Sequence, residues 1–222
     1  MSLLEPVKEK TAGQKLAVFL ADGSKLVLNA SSMISLTKPF HPHKGEVLLE
    51  GEAFFEVAKD ALRPFQVVSS ELTTTALGTS FNIVAYPQDV LIQVSLATGK
   101  VKVDFHKAAL KSPYEIIYLK SGKQMAYLKI QQVLTKELFN ADKVLVWKDG
   151  AIYLENVDQA SVIKKLKRWY GIKIQVEGKS STAGNVITTF KNQSLKSVLT
   201  SLGFTLGFAF EIREDCIFIK HS

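Results

Sequence analysis

Asp158-Gln159-Ala160-Ser161-Val162-Ile163-Lys164-Lys165-Leu166-Lys167-Arg168-Trp169-Tyr170-Gly171 is a helix with both of its ends written into it. Val162, Ile163, Leu166, Trp169 and Tyr170 recur on one face at helical spacing, Asp158 is placed to cap the first turn, and Gly171 supplies the left-handed stop. Lys164, Lys165, Lys167 and Arg168 fall on the remaining face, the charged side that a helix with one buried stripe requires. Trp169 and Tyr170 read as core or core-edge residues, large apolar bodies with a polar tip.

Working outward, Ala151 to Leu154 reads as a strand before this helix and Ile172 to Val176 as a half-buried strand after it. Lys179 to Gly184 makes a polar turn, and a second unit follows: a strand at Val186 to Phe190, then Leu195, Val198, Leu199 and Leu202 as a helical stripe ended by Gly203. Phe208 to Ile212 and Cys216 to Ile219 close the chain as two strands facing each other across Arg213-Glu214-Asp215. The order is βαββαββ. Asn156, Val162, Ile163 and Leu166 reappear as Asn192, Val198, Leu199 and Leu202 at a constant spacing of 36 residues, which points to a duplicated βαβ unit. One-sided helices and alternating strands are buried most simply by packing both helices on a small sheet.

Upstream the period changes. Lys15 to Leu20, Asp22-Gly23 and Lys25 to Leu28 form a hairpin signal. Glu46 to Leu49, Ala53 to Val57, Phe65 to Val68, Phe81 to Ala85, Leu91 to Leu96 and Val101 to Phe105 continue as short strands, the last two separated by Thr98-Gly99. That recurrence predicts an all-β domain, a sandwich, barrel or solenoid among which alternation alone does not choose. Gln131 to Asn140 is polar without strand alternation and reads as a linker with a short helix. The expected organisation is a linker or disordered start at 1–11, a β domain at 12–128, a linker at 129–146 and a βαββαββ domain at 147–222: mainly β plus α+β.

Composition narrows function. Of 222 residues, 46% are apolar and 22% charged, enough for two cores. The net charge of +7 raises nucleic acid and acidic membranes as partners. The lysines are nevertheless spread from Lys8 to Lys220, one or two at a time between apolar residues, which argues against both. Cys216 is the single cysteine, so neither an internal disulfide nor a Cys-x-x-Cys zinc site can form; its neighbours Ile217 and Phe218 predict a buried, inert thiol. No apolar run approaches roughly 18 residues, and Met1 to Pro6 does not read as a signal peptide.

Three constellations carry possible chemistry. Glu50, Glu52 and Glu56 share strand parity, an arrangement open to a glycan-acting or carbohydrate-binding β domain, although spacing assigns no acid and base. His41 and His43 lie on one side of an extended segment, but Pro42 between them and the lack of a third ligand favour a solvated loop over a metal site. Gly78-Thr79-Ser80 lacks nucleophile-elbow spacing, and no phosphate-binding Gly-rich loop precedes a helix. No catalytic residue, metal ligand or cofactor is expected.

The stretch Gly51-Glu52-Ala53-Phe54-Phe55-Glu56-Val57-Ala58-Lys59-Asp60, followed by Arg63-Pro64-Phe65-Gln66-Val67, resembles the core signature of the FecR domain. Leu20-Ala21-Asp22-Gly23-Ser24 with Leu28-Asn29-Ala30 is similar to that family's opening hairpin, and Leu77-Gly78-Thr79-Ser80-Phe81-Asn82-Ile83 to its central motif. Gly99 to Val103 and Leu119 to Gln124 resemble later elements, with Ser121-Gly122 where a Pro-Gly turn is usual. The likeness covers about residues 14–128. Trp147-Lys148-Asp149-Gly150, leading into Leu154-Glu155-Asn156, resembles the start of the C-terminal domain that follows FecR domains in Bacteroidetes regulators, whose βαββαββ order is similar to the secretin and TonB short N-terminal fold.

This resemblance implies a periplasmic anti-sigma factor that is not an enzyme. It implies one membrane helix and a cytoplasmic sigma-binding segment, neither recognisable in these residues. The implied partners are the signalling domain of a TonB-dependent outer-membrane transporter and an extracytoplasmic-function sigma factor; iron chelates and glycans are both open as the upstream signal. A small sheet with a free edge accepts a partner strand, and Cys216, Ile217, Phe218 and Ile219 are the expected edge.

Overall fold

A computed structural model describes residues 5–7, 15–36, 45–60, 62–106, 116–178, 186–214 and 216–221. They divide into two compact units, one holding residues 15–141 with the strand at 5–7, the other residues 142–221. His41, His43 and the whole of the Lys179 to Gly184 turn lie outside the described residues.

The first unit is all β: β1 (Glu5–Val7), β2 (Leu16–Phe19), β3 (Lys25–Leu28), β4 (Met33–Leu36), β5 (Gly45–Glu56), β6 (Phe65–Ser69), β7 (Leu72–Ala76), β8 (Ser80–Ala85), β9 (Leu91–Thr98), β10 (Lys100–Phe105), β11 (Ile116–Lys120), β12 (Lys123–Leu128) and β13 (Val133–Leu138). One long path of hydrogen-bonded neighbours runs β11-β10-β7-β6-β5-β8-β9-β12-β13, with β1-β4 and β2-β3 branching from β5. The branch point has a physical cause. Residues 45–48 of β5 pair with β6 and residues 47–50 with β4, whereas residues 51–56 pair with β8 and 53–56 with β3. The strand changes partners at Gly51, whose φ of 111° suits glycine. A side chain there would run into Ser32.

The sheet thereby curls on itself, and its inward residues form one core that includes Leu28, Ile34, Val47, Phe55, Val67, Phe81, Val94, Val103 and Tyr127. Phe55 stacks on Phe81 at 5.0 Å and meets Phe65 at 6.1 Å, while Phe105 and Tyr127 meet edge to face at 5.0 Å. Each large side chain hidden this completely contributes about 1.5–3 kcal/mol. Burial and the neighbouring Glu71 carboxylate push the Tyr127 hydroxyl above its usual pKa.

Several sequence expectations are corrected. Glu46 to Leu49 and Ala53 to Val57 are two halves of β5, because Gly51 bends the chain without ending the strand. The threonine-rich strand β7 escapes a reading based on apolar runs, and the four-residue β4 is too short to register as one. Gln131 to Asn140 is no linker: residues 133–138 form β13 against β12, held by main-chain bonds with only Leu134 packed on the core, as an edge strand permits. Within 1–11, Glu5–Val7 pairs with β4.

The second unit opens with α1 (Ala141–Val144) and a 3-10 turn (Val146–Asp149), then runs β14 (Ala151–Val157), α2 (Gln159–Tyr170), β15 (Lys173–Glu177), β16 (Val186–Lys191), α3 (Leu195–Leu206), β17 (Phe208–Arg213) and β18 (Cys216–His221). β14 pairs antiparallel with β16; a second sheet has the order β15-β18-β17, with β15 parallel and β17 antiparallel to β18. One core joins Ile152 and Leu154 of β14, Val162 and Leu166 of α2, Val198, Leu199 and Leu202 of α3, and Ile217 and Ile219 of β18. The duplication read from the sequence is geometric: α2 and α3 start 36 residues apart, capped by Asp158 and Ser194 and stopped by left-handed Gly171 and Gly207.

Candidate functional site: the outer surface of the C-terminal unit

Cys216 to Ile219, expected at a sheet edge, lie in the central strand of the three-stranded sheet. Every residue of β18 from Cys216 to Lys220 has a partner on β15 and one on β17. The main chain there is spent, so it cannot accept another strand. Cys216-Ile217-Phe218-Ile219 is apolar on both parities, but that pattern reports on the faces of a strand and not on its edges. β15 and β17, which carry charges along their length, are the two ends of that sheet among the described residues. Sequence reasoning missed these edges because β18 is the one strand without a mate in the duplication.

Ile217 and Ile219 point into the core and are fully buried, so Cys216, Phe218 and Lys220 point the other way. Cys216 is accordingly half-buried, not the core thiol that its neighbours suggested. On this outer face Phe218 lies between Gln175 and Glu211, and Lys220 between Glu177 and Ala209. The Arg213 guanidinium sits 4.7 Å over the Phe218 ring and donates to Glu211 at 2.7 Å. That hydrogen bond holds the Glu211 carboxyl below its usual pKa. Lys220 reaches Glu177 at 3.8 Å. The face is a paired, solvated mosaic.

The exposed side of α2 differs. Lys164, Lys165 and Lys167 are exposed and Arg168 is half-buried, with no acidic residue between Gln159 and Tyr170. Lys165 Nζ donates to the Tyr153 carbonyl at 2.8 Å, and Lys143 Nζ lies 5.2 Å from the Tyr153 ring centre and 2.6 Å from Glu155. Lys143 thereby keeps the Glu155 carboxyl below its usual range. At the helix start, Asp158 accepts from the Ser161 amide at 2.7 Å, which lowers its pKa as well.

The carboxylates singled out in the first unit have other partners. Glu52 accepts from the Asn29 and Asn82 side chains at 2.7 and 3.0 Å, and its amide donates to Ser32 Oγ at 2.8 Å. It ties the turn after β3 to β5 and β8. Glu56 meets Lys25 at 3.5 Å, and Glu50 stands opposite Met33, across the Gly51 bend. Among the described residues no group of three or more His, Cys, Asp or Glu gathers to hold a metal, and no helix is long and apolar enough to cross a membrane.

Two family models match in order: "FecR protein" over residues 8–117 and "FecR, C-terminal" over residues 151–219. Two crystal structures, at 2.50 and 1.65 Å resolution, of a protein assigned as an anti-sigma factor in Parabacteroides distasonis ATCC 8503 superpose with a TM-score of 0.87 at 29% identity, covering 99% of this chain and 100% of that one. No curated protein matches. A bent β5 that opens the Gly51 to Asp60 signature, a duplicated βαβ unit later in the chain, and agreement along 99% of the chain lead to one conclusion: the chain belongs to the FecR family of anti-sigma factors.

Proposed function

We propose that this sigma regulator is the periplasmic sensing portion of a membrane-anchored anti-sigma factor. Its C-terminal unit docks on the signalling domain of a TonB-dependent outer-membrane transporter, and that docking controls an extracytoplasmic-function sigma factor through a cytoplasmic segment. The protein relays its signal by binding and makes or breaks no bonds.

The observation that supports this reading best is the three-stranded sheet whose end strands, β15 and β17, keep an outer edge among the described residues. Main-chain groups at such an edge give affinity to an incoming strand, and alternate side chains give it specificity. Val176 on β15 and Ile212 on β17 are apolar and exposed, 40% and 48%, and a partner strand would cover them. Glu52, fixed between two asparagine amides, serves the fold in this reading.

The test is a calorimetric titration of the whole chain with the signalling domains of the TonB-dependent transporters of the same organism. Saturable binding at equal stoichiometry is expected. Absence of binding by the whole chain overturns the proposal.

A further inference from the structure

Read along the sequence, the lysines are too scattered to meet an acidic membrane; the fold of the first unit gathers several of them at one end. Five turns line up there: residues 20–24 between β2 and β3, 57–60 with 62–64 between β5 and β6, 77–79 between β7 and β8, Gly99 between β9 and β10, and Ser121-Gly122 between β11 and β12. Strand register puts them side by side, since Lys25 stands opposite Glu56, Glu56 opposite Ser80, Ser80 opposite Thr98, and Lys100 opposite Lys120. Hydrogen bonds tie neighbouring turns together: the Ala58 amide donates to Ser24 Oγ at 3.0 Å, the Val57 amide to the Thr79 carbonyl at 3.0 Å, and the Ser80 amide to Thr98 Oγ1 at 3.1 Å. The Gly122 amide donates to the Leu96 carbonyl at 2.9 Å.

The charge on this rim is one-sided. Among the described residues, the turns and the strand ends that border them carry Lys25, Lys59, Arg63, Lys100, Lys120 and Lys123 against Asp22, Glu56 and Asp60. All three carboxylates are engaged: Asp22 accepts from Ser24, Glu56 meets Lys25 and Asp60 binds Arg63. Lys59, Lys100, Lys120 and Lys123 are exposed, and among the described residues none of them meets a carboxylate. Lys100 lies 4.6 Å from the Tyr118 ring centre, a tie that leaves its charge in place. Lys120 faces Lys100, and like charges directly opposite destabilise a sheet. The other end of the unit is the control. Its described turns, 29–32, 70–71, 86–90 and 129–132, carry Lys129 as their single cation, and that Nζ reaches the Pro87 carbonyl at 3.4 Å. The fold therefore does not require basic turns.

Exposed leucines stand beside the lysines. Leu62 is 90% exposed, Leu138 opposite Lys123 is 73% exposed, and Leu77 is half exposed next to Gly78, against which the Lys59 stem lies. We propose that this rim of turns lays the first unit on a membrane surface rich in anionic phospholipid, its lysines at the phosphates and its leucines in the interfacial layer. Cations near such a surface add attraction one by one, and apolar side chains between them add burial. An acidic protein surface accounts for the lysines and leaves the leucines unused, whereas a lipid surface engages both. The inference goes beyond the docking reading, which concerns the C-terminal unit, and either can fail alone.

The experiment sediments the whole chain with vesicles of phosphatidylcholine, with and without phosphatidylglycerol. It compares the wild type with Lys120→Glu/Lys123→Glu, with Leu62→Ser, and with Ile130→Ser, which changes an exposed apolar residue at the control end. Thermal melting checks that each variant folds. Phosphatidylglycerol is expected to raise wild-type binding about tenfold or more, and the double variant to lose most of that gain. Leu62→Ser is expected to weaken binding about threefold or more, and Ile130→Ser to change it less than about twofold. Wild-type protein that ignores phosphatidylglycerol overturns the inference. So does an unchanged affinity in the double variant or in Leu62→Ser, or an equal loss in Ile130→Ser. Release of the bound vesicles by a matching charge of poly-L-glutamate or duplex DNA would make the rim a general polyanion face and also overturns it. Titration with a transporter's signalling domain is a separate measurement, so failure here leaves the docking reading standing.

Discussion

The two βαβ repeats of the C-terminal unit share one frame and use it differently. Both helices run twelve residues, start from a side-chain cap and stop at a left-handed glycine, and an asparagine at positive φ stands two residues before each cap, Asn156 at 49° near the end of β14 and Asn192 at 51° just after β16. Their partner strands, β15 and β17, flank the same β18. What separates the repeats is depth. α3 buries Val198, Leu199, Leu202, Gly203 and Leu206, whereas α2 buries Gln159, Val162, Ile163 and Leu166 and leaves Lys167 exposed. The second repeat anchors the unit, so the first has an outer side available for charge.

Position 203 is the place to break that comparison with the largest effect. A Cβ added at Gly203 would lie 2.7 Å from the Phe208 carbonyl oxygen, a main-chain atom that cannot swing away. Helix propensity alone favours alanine over glycine by about 1 kcal/mol. Overpacking against fixed backbone costs about 1–3 kcal/mol. The second effect prevails where nothing can give, so Gly203→Ala is expected to destabilise the chain by about 1–2 kcal/mol in urea melts. At the equivalent site of the first repeat, Lys167→Ala is expected to stay within about 0.5 kcal/mol of wild type. A stabilised Gly203→Ala protein would show that α3 does not press on β17 as described.

That contrast also marks how far the sequence could be read. The helices, their caps and the 36-residue spacing are local features, set by residues within one turn of each other, and Asp158 and Gly171 act as their positions predict. Gly203 looked like the end of α3 because glycine commonly stops helices; the helix continues to Leu206, and Gly203 serves a close approach that is invisible before β17 is placed. The misreading of Cys216 to Ile219 has the same root: whether a strand is central depends on which distant strands flank it. Gly51 was visible as a turn residue, but its role as the point where one strand serves two sets of neighbours depends on Ser32, 19 residues earlier. The basic face of α2 was legible as charge, but the tie from Lys165 to the Tyr153 carbonyl appears only once β14 is placed beside the helix.

The two caps sharpen the comparison at intermediate size. Removing either by Asp158→Ala or Ser194→Ala is expected to cost about 1 kcal/mol near neutral pH. Only one of them titrates. The Ser161 amide holds the folded Asp158 carboxyl below its usual pKa, so its contribution is complete above the unfolded value of about 4 and disappears as pH falls through the lower, folded value. Urea melts across this range should show the cost of Asp158→Ala shrinking on acidification while that of Ser194→Ala stays level. Parallel behaviour of the two variants would mean that the Asp158 carboxylate is not what caps α2.

The smallest expected effect separates the two asparagines. Positive φ makes glycine the natural replacement; what it gains in the folded state it returns through the greater freedom of the unfolded chain. Asn156→Gly is therefore expected to shift stability by no more than about 0.5 kcal/mol. Asn192 has additional ties: its amide donates to the Gly150 carbonyl at 3.0 Å, and its side chain stands over Gly150, where no Cβ intervenes. The amide bond survives in Asn192→Gly, so a loss beyond that of Asn156→Gly reports the side chain alone. An excess of a few tenths of a kcal/mol, read from paired urea melts, is the expected outcome. Equal losses at both sites would mean that the frame, with its strand end and left-handed turn, sets the asparagine in each repeat.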